Sequence, residues 1–173
     1  MKTLLRCFSV IPAVLMLLII FGFSAQDGSA SGSLSYQLCY AITDLANRTF
    51  SSGLSETEVS SQALSIQLVV RKLAHVTEYL MLTLSIYLPL RVWLPHKGAD
   101  VTGKRFFYRR ILPVFLLSLL CAAADEFHQS FVPGRCGTPA DVLVDSVGIL
   151  TGCILLAFIR HLIINKRNRH NSC

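Results

Sequence analysis

Three short stretches carry the residues able to do chemistry in this chain. "DEFHQSFVPGR" (125–135) sets Asp125, Glu126, His128 and Gln129 directly after the apolar run "ILPVFLLSLLCAAA". "RKLAHVTEY" (71–79) spaces Lys72, His75 and Glu78 three residues apart, an arc of about 120° on a helix of 3.6 residues per turn. "TPADVLVDSVGILTG" (138–152) holds Asp141, Asp145, Gly148 and Gly152 at i, i+4, i+7 and i+11, nearly a straight stripe. Carboxylates beside imidazoles can orient a base, move protons or ligate a divalent metal. Arg135, with its forked guanidinium, suits phosphate oxygens.

The chain that must position them is greasy. Of its 173 residues 53% are hydrophobic and 15% charged, well below the quarter charged that is usual in water. Four apolar runs stand out: "FSVIPAVLMLLIIFGF", "YLMLTLSIYLPL" with its flanks, "ILPVFLLSLLCAAA", and "VLVDSVGILTGCILLAFI". Crossing a bilayer takes about 20 residues, and each run reaches that length only by including polar residues at one end. The expectation is an all-α membrane protein with a bundle of four transmembrane helices. Its parts are a first span over 1–24, a linker with surface helices over 25–63, a membrane domain over 64–165, and a basic tail over 166–173. Lys2 and Arg6 before the first run also fit a cleaved signal peptide.

The net charge of +6 raises nucleic acid, but its distribution gives a simpler account. Lys97, Lys104, Arg105, Arg109 and Arg110 fall in one loop, and Arg160, Lys166, Arg167 and Arg169 near the C-terminus. Both places lie an even number of crossings from Lys2 and Arg6, while the loop after the first span is acidic. Basic segments of this kind fix orientation and touch anionic headgroups. Both termini are therefore expected in the cytoplasm, with no nucleic-acid partner. Arg71 and Lys72, at an outer end, run against the trend. Of six cysteines, only Cys39 and Cys136 fall in outer loops, where a disulfide is an open alternative.

Within the long outer loop, "YQLCYAITDLANR" predicts a helix with Leu38, Ile42 and Leu45 on its apolar face. "SETE" (55–58) reads as a capping box opening a helix that continues into the second span. Short helices capping the outer end of the bundle are the expectation. Pro133-Gly134 predicts a tight turn that points Arg135 back toward the spans, and Thr138-Pro139 an N-cap with Pro at the first helical position. Gly148 and Gly152 predict close helix packing.

On this topology the three stretches meet at one membrane face. Glu78, Asp125 and Asp145 each fall roughly 8–10 Å inside a helix end, and facing lipid there each would cost about 2.5–3.5 kcal/mol or more. Facing one another, they form a polar pocket open to the outside. Its expected residues are Lys72, His75, Glu78, Asp125, Glu126, His128, Gln129, Arg135, Asp141 and Asp145.

In their order and positions, "KLAHVTEYL", "DEFHQSFVPGR" and "DVLVDSVGILTG" resemble the VanZ family of bacterial membrane proteins, over about residues 64–160. The resemblance implies a four-helix, multi-pass protein of the bacterial cell membrane and an association with reduced susceptibility to teicoplanin. It implies no settled reaction. Many relatives carry Asn where this chain has Asp145.

Three readings of the pocket follow. As a binding site it would take the headgroup of a cell-envelope lipid or lipoglycopeptide at the outer leaflet. As a hydrolase or transferase acting on a lipid-linked substrate it would use His75, Glu78, Asp125, Glu126 or His128; a divalent metal is compatible with these side chains, but the sequence carries neither an H-E-x-x-H zinc signature nor a Ser in a nucleophile elbow. As structure alone, the polar groups would tie helices together. A transporter fits poorly, because the polar groups stop near one face.

Overall fold

The computed structural model describes residues 2–93 and 103–171, all-helical with no strand among them. Helix α1 (Lys2–Ser24) is followed by α2 (Gly28–Phe50) and the long α3 (Glu56–Trp93). Next, α4 (Gly103–Phe106), a π-helical turn (Phe107–Ile111) and α5 (Leu112–Gln129) run on as one rod, before α6 (Pro139–Asn171). Among the described residues, four segments are long and apolar enough to cross a membrane: Leu4–Ser24, Glu56–Trp93, Gly103–Gln129 and Pro139–Lys166. These match the four expected runs.

Helix α3 is the hub, packing against α1, α2, α5 and α6, and α5 also packs against α6 and α1. Chain direction alternates, which gathers particular residues at each end. At one end the Ser24 hydroxyl donates to Asp125 at 2.9 Å. At the other, the Trp93 indole donates to the Arg6 carbonyl at 3.2 Å and the Arg160 guanidinium sits 4.3 Å above the Phe106 ring.

The packing follows the logic of lipid rather than water. Leu18, Leu120, Leu143 and Ile154 are exposed on the outside, while Thr83, Ser118, Ala122 and Gly148 are buried between helices. Hydrocarbon gives helices no hydrophobic reason to associate, so small residues and hydrogen bonds must bring them together. A Cβ at Gly148 would stand 2.1 Å from the Val76 carbonyl oxygen, and one at Gly152 would stand 2.9 Å from Thr83 Cγ2. Only glycine permits α6 this close to α3. Beneath the contact, the buried Thr83 hydroxyl donates to the Tyr79 carbonyl at 2.7 Å and meets Ser118 Oγ at 3.2 Å.

The local signals around the spans hold. Ser55 and Glu58 form the capping box: the Ser55 amide donates to Glu58 Oε2 at 2.8 Å and the Glu58 amide reaches Ser55 Oγ at 3.4 Å. Helix α3 then continues unbroken for 38 residues. Thr138 Oγ1 accepts from the Asp141 amide at 3.2 Å, with Pro139 opening α6.

Elsewhere the structure corrects the reading. The Gly/Ser-rich stretch after residue 27 is helical, because the Asp27 carboxylate accepts from the Ala30 amide at 2.7 Å and opens α2 there. Leu38, Ile42 and Leu45 face outward, and the buried face of α2 carries Cys39 and Thr43 instead. Small side chains let α2 lie close along the start of α3, where Gln67 Nε2 donates to the Gly32 carbonyl at 2.7 Å. Instead of several short caps, residues 28–50 form one 23-residue helix. Of the expected basic loop, Lys97 lies outside the described residues, Lys104 and Arg105 belong to α4, and Arg109 and Arg110 belong to the π-helical turn. That turn precedes Pro113, which has no amide to continue the α-helical ladder. The basic tail continues α6 as far as Asn171. Cys39 is buried and Cys136 exposed, and neither is in a disulfide.

Candidate functional site

At the end of the bundle where α1 and α5 finish, the helices leave a cavity of about 320 Å³. Helix α3 lines it with Leu68, Arg71, Lys72 and His75; α5 supplies Glu126 and Gln129; α6 supplies Asp141, Val144 and Asp145. Arg135 and Cys136 enter from the connection between α5 and α6, and Gly28 from the start of α2. A smaller adjoining cavity of about 220 Å³ shares Arg71, His75 and Arg135 and adds Glu78, Phe23 and Ser24.

The connection is built to aim Arg135. Pro133 and Gly134 are the central residues of a turn closed by the Arg135 amide donating to the Val132 carbonyl at 3.1 Å. Gly134 has φ +71°, as the third position of a type II turn requires. The Gly28 amide donates to the Pro133 carbonyl at 3.0 Å, and a Cβ at Gly28 would stand 2.0 Å from the Gly134 oxygen. The start of α2 thus clamps the turn. Arg135 then donates from one guanidinium nitrogen to the Phe23 carbonyl at 2.9 Å and from another to Gln129 Oε1 at 3.3 Å. Partial burial and the neighbouring Arg71 draw its pKa below the ordinary guanidinium value, against the pull of Asp125 and Glu126. It stays charged, as arginine does in proteins.

Gln129 orders the acids behind it. Its Nε2 lies 3.0 Å from Asp125 Oδ2, 3.1 Å from Glu126 Oε1 and 3.2 Å from Ser24 Oγ. With the oxygen turned to Arg135 and the nitrogen to the carboxylates, the amide couples cation to acids. Glu126 also accepts from the Thr138 amide at 3.2 Å. The chain passes so near that a Cβ at Gly137 would collide with the Glu126 carbonyl oxygen. Asp145 has no exposed surface. His75 Nδ1 lies 3.3 Å from its Oδ1, yet neither Asp145 oxygen makes a hydrogen bond among the described residues. One atom each from His75, Glu126 and Asp145 falls within 4.8 Å of the others.

The structure thus brings Lys72, His75, Glu126, Gln129, Arg135, Asp141 and Asp145 to the main cavity and Glu78 to the adjoining one. Two expected pocket residues lie elsewhere. Asp125 is fully buried behind the wall, held by Ser24 and Gln129, and lines neither cavity. His128 turns toward α1, its ring packed edge-on to Phe21 with centroids 5.9 Å apart. Successive residues on a helix stand 100° apart, so Gln129 faces the cavity and His128 cannot. Asp141 is partly engaged in the N-cap, accepting from the Thr138 hydroxyl at 2.7 Å.

Sequence reasoning left out Arg71, Ser24 and Gly28. Arg71 carried a signal, as a cation that runs against the positive-inside trend expected from the sequence. Ser24 and Gly28 carried none, since their roles come from helices packing side by side. The buried Tyr79 was missed as well; its hydroxyl has no hydrogen-bond partner among the described residues.

Chemically, a rim of Arg71, Lys72 and Arg135 stands over a floor of His75, Glu126 and Asp145. The rim suits an anion, and the floor suits amines, hydroxyls or a cation. Among known families, the VanZ/LLP1 family model matches residues 8–160. No curated protein and no solved structure matches the chain.

Proposed function

Since the chain belongs to the VanZ/LLP1 family, we propose that it is a multi-pass protein of the bacterial cell membrane whose cavity recognises the headgroup of a cell-envelope lipid or lipoglycopeptide. The observation that carries this is the rim: Arg71, Lys72 and Arg135 converge on one cavity at the end of a bundle whose helices are long and apolar enough to cross a membrane. Guanidinium forks bind phosphate and carboxylate oxygens in pairs, and the carboxylate floor can receive amines or sugar hydroxyls. Lys104, Arg105, Arg109 and Arg160 lie toward the opposite end, so the positive-inside rule puts the cavity on the outer side and both termini in the cytoplasm. A site there meets lipid-linked envelope precursors and lipoglycopeptides such as teicoplanin, in keeping with the antibiotic tolerance associated with VanZ relatives.

Native mass spectrometry of the detergent-purified protein tests headgroup recognition. Anionic phosphatidylglycerol should be retained over zwitterionic phosphatidylcholine, and Arg135→Ala should weaken that preference by roughly tenfold, the loss of about 1.4 kcal/mol expected for a charged hydrogen bond. Equal retention of both lipids, or an Arg135→Ala variant as selective as the parent, would contradict the proposal.

A second reading, a hydrolase or transferase on a lipid-linked substrate, draws on the 3.3 Å approach of His75 to the buried Asp145. A carboxylate behind an imidazole orients it as a base. Turnover of a labelled lipid-linked phosphate, lost in His75→Gln, would favour it.

A further inference from the structure

We infer that the floor of the cavity is a binding site for a divalent transition-series cation, held by His75, Glu126 and Asp145. The inference goes beyond headgroup recognition and does not depend on it.

One atom from each residue lies within 4.8 Å of the others. Two bonds of about 2.1 Å to a common ion span about 4.2 Å at most, so a small rotation of one side chain closes the set. The residues come from three different helices, α3, α5 and α6.

Asp145 supplies a second, independent observation. Its carboxylate is buried and lines the cavity, yet neither oxygen accepts a hydrogen bond from the described residues. The His75 ring nitrogen near Oδ1 is at 3.3 Å without hydrogen-bond geometry, and Oδ2 has no hydrogen-bond partner among the described residues. Buried polar groups in folded proteins are otherwise nearly always satisfied. A proton on the carboxyl would quiet one oxygen and leave the other bare. An ion seated between the three side chains satisfies Asp145 and offsets the charge of two neighbouring acids together.

The surroundings fit such an ion. Neither Glu126 nor Asp145 is ion-paired to Lys or Arg among the described residues. Glu126 is already oriented by Gln129 and the Thr138 amide, each oxygen receiving one hydrogen bond and keeping a lone pair for a metal. Outer partners of this kind orient ligating carboxylates. Three protein ligands facing an open cavity leave a coordination position for water or a ligand oxygen. One imidazole with two carboxylates selects Mn2+, Fe2+ or Zn2+ over Ca2+, which takes six to eight oxygens.

The test uses the full chain purified in detergent and stripped with a chelator, titrated calorimetrically with MnCl2 and with ZnCl2. One saturable ion per chain is expected. Asp145→Asn and Glu126→Gln, each removing a ligand, should bind it more weakly by at least the roughly 10–100-fold that loss of an outer partner costs, while Asp44→Asn, which removes a surface ion pair, should bind as the parent does. The parent alone also tests the site, whatever the variants do to folding. X-ray absorption of its zinc form should show an oxygen and nitrogen shell with a single imidazole. Absence of saturable uptake of both metals, a shell with two or more imidazoles, or variants that bind as tightly as the parent would overturn the site.

Discussion

Asp145 is the residue on which the site turns. A carboxylate with no exposed surface carries a desolvation cost of several kcal/mol, and the nearest basic group is a histidine rather than an arginine. Replacing it with Asn removes the charge and keeps the shape. Asp145→Asn is therefore expected to melt at or above the temperature of the metal-free parent. Mn2+ added at a concentration that saturates the parent should raise the parent's melting temperature through linkage and raise the variant's by clearly less; a variant stabilised as much as the parent would contradict the role given to Asp145. Arg135 makes a different prediction. Its two hydrogen bonds diverge, to Phe23 and to Gln129, so Arg135→Lys should fail to restore the lipid preference lost in Arg135→Ala. Rescue by lysine would mean that point charge alone is read.

At the scale of the helices, glycine sets the distance between α3 and α6. Gly148→Leu should destabilise the protein by about 1–3 kcal/mol in a reversible unfolding assay, because its Cβ would stand 2.1 Å from a backbone oxygen. Gly22→Ala, with nothing within 4 Å, should be neutral or stabilising. Removing the Thr83–Ser118 contact should cost only about 0.6 kcal/mol, the average for interhelical hydrogen bonds in membranes. Signals written within one helix were legible in the sequence. The apolar runs, the Ser55–Glu58 box, the Thr138–Pro139 cap, the Pro133–Gly134 turn and the glycine stripe all depend on near neighbours. The inward face of α2 was not legible, because Leu38 and Ile42 obey helical periodicity whether they meet protein, lipid or a partner. Nor was the turning of His128 toward Phe21, which depends on where α1 stands. The pocket was half legible: its acids and Arg135 could be placed at one end, but the separation of Asp125 from the cavity follows from Ser24, on a helix that sequence reasoning left out of the site.

For the whole molecule, orientation decides what the cavity can meet. The connection that carries Arg135 also carries the exposed Cys136, which reports its side directly. A membrane-impermeant maleimide should label the protein in intact cells, and Cys136→Ser should abolish the labelling. Labelling that appears only after lysis would invert the topology and turn the cavity toward the cytoplasm. In the outward orientation, α1 brings Ser24 and the Phe23 carbonyl to the site, so the first span serves the cavity as well as the membrane.

The most direct measurement is teicoplanin tolerance in a sensitive host, comparing empty vector, the intact protein, Glu126→Gln, Arg135→Ala and Asp44→Asn at equal membrane abundance. The intact protein and Asp44→Asn are expected to raise tolerance, and the two cavity variants to lose it. Cavity variants that protect as well as the intact protein would contradict a functional role for the cavity and leave its polar residues as helix packing alone.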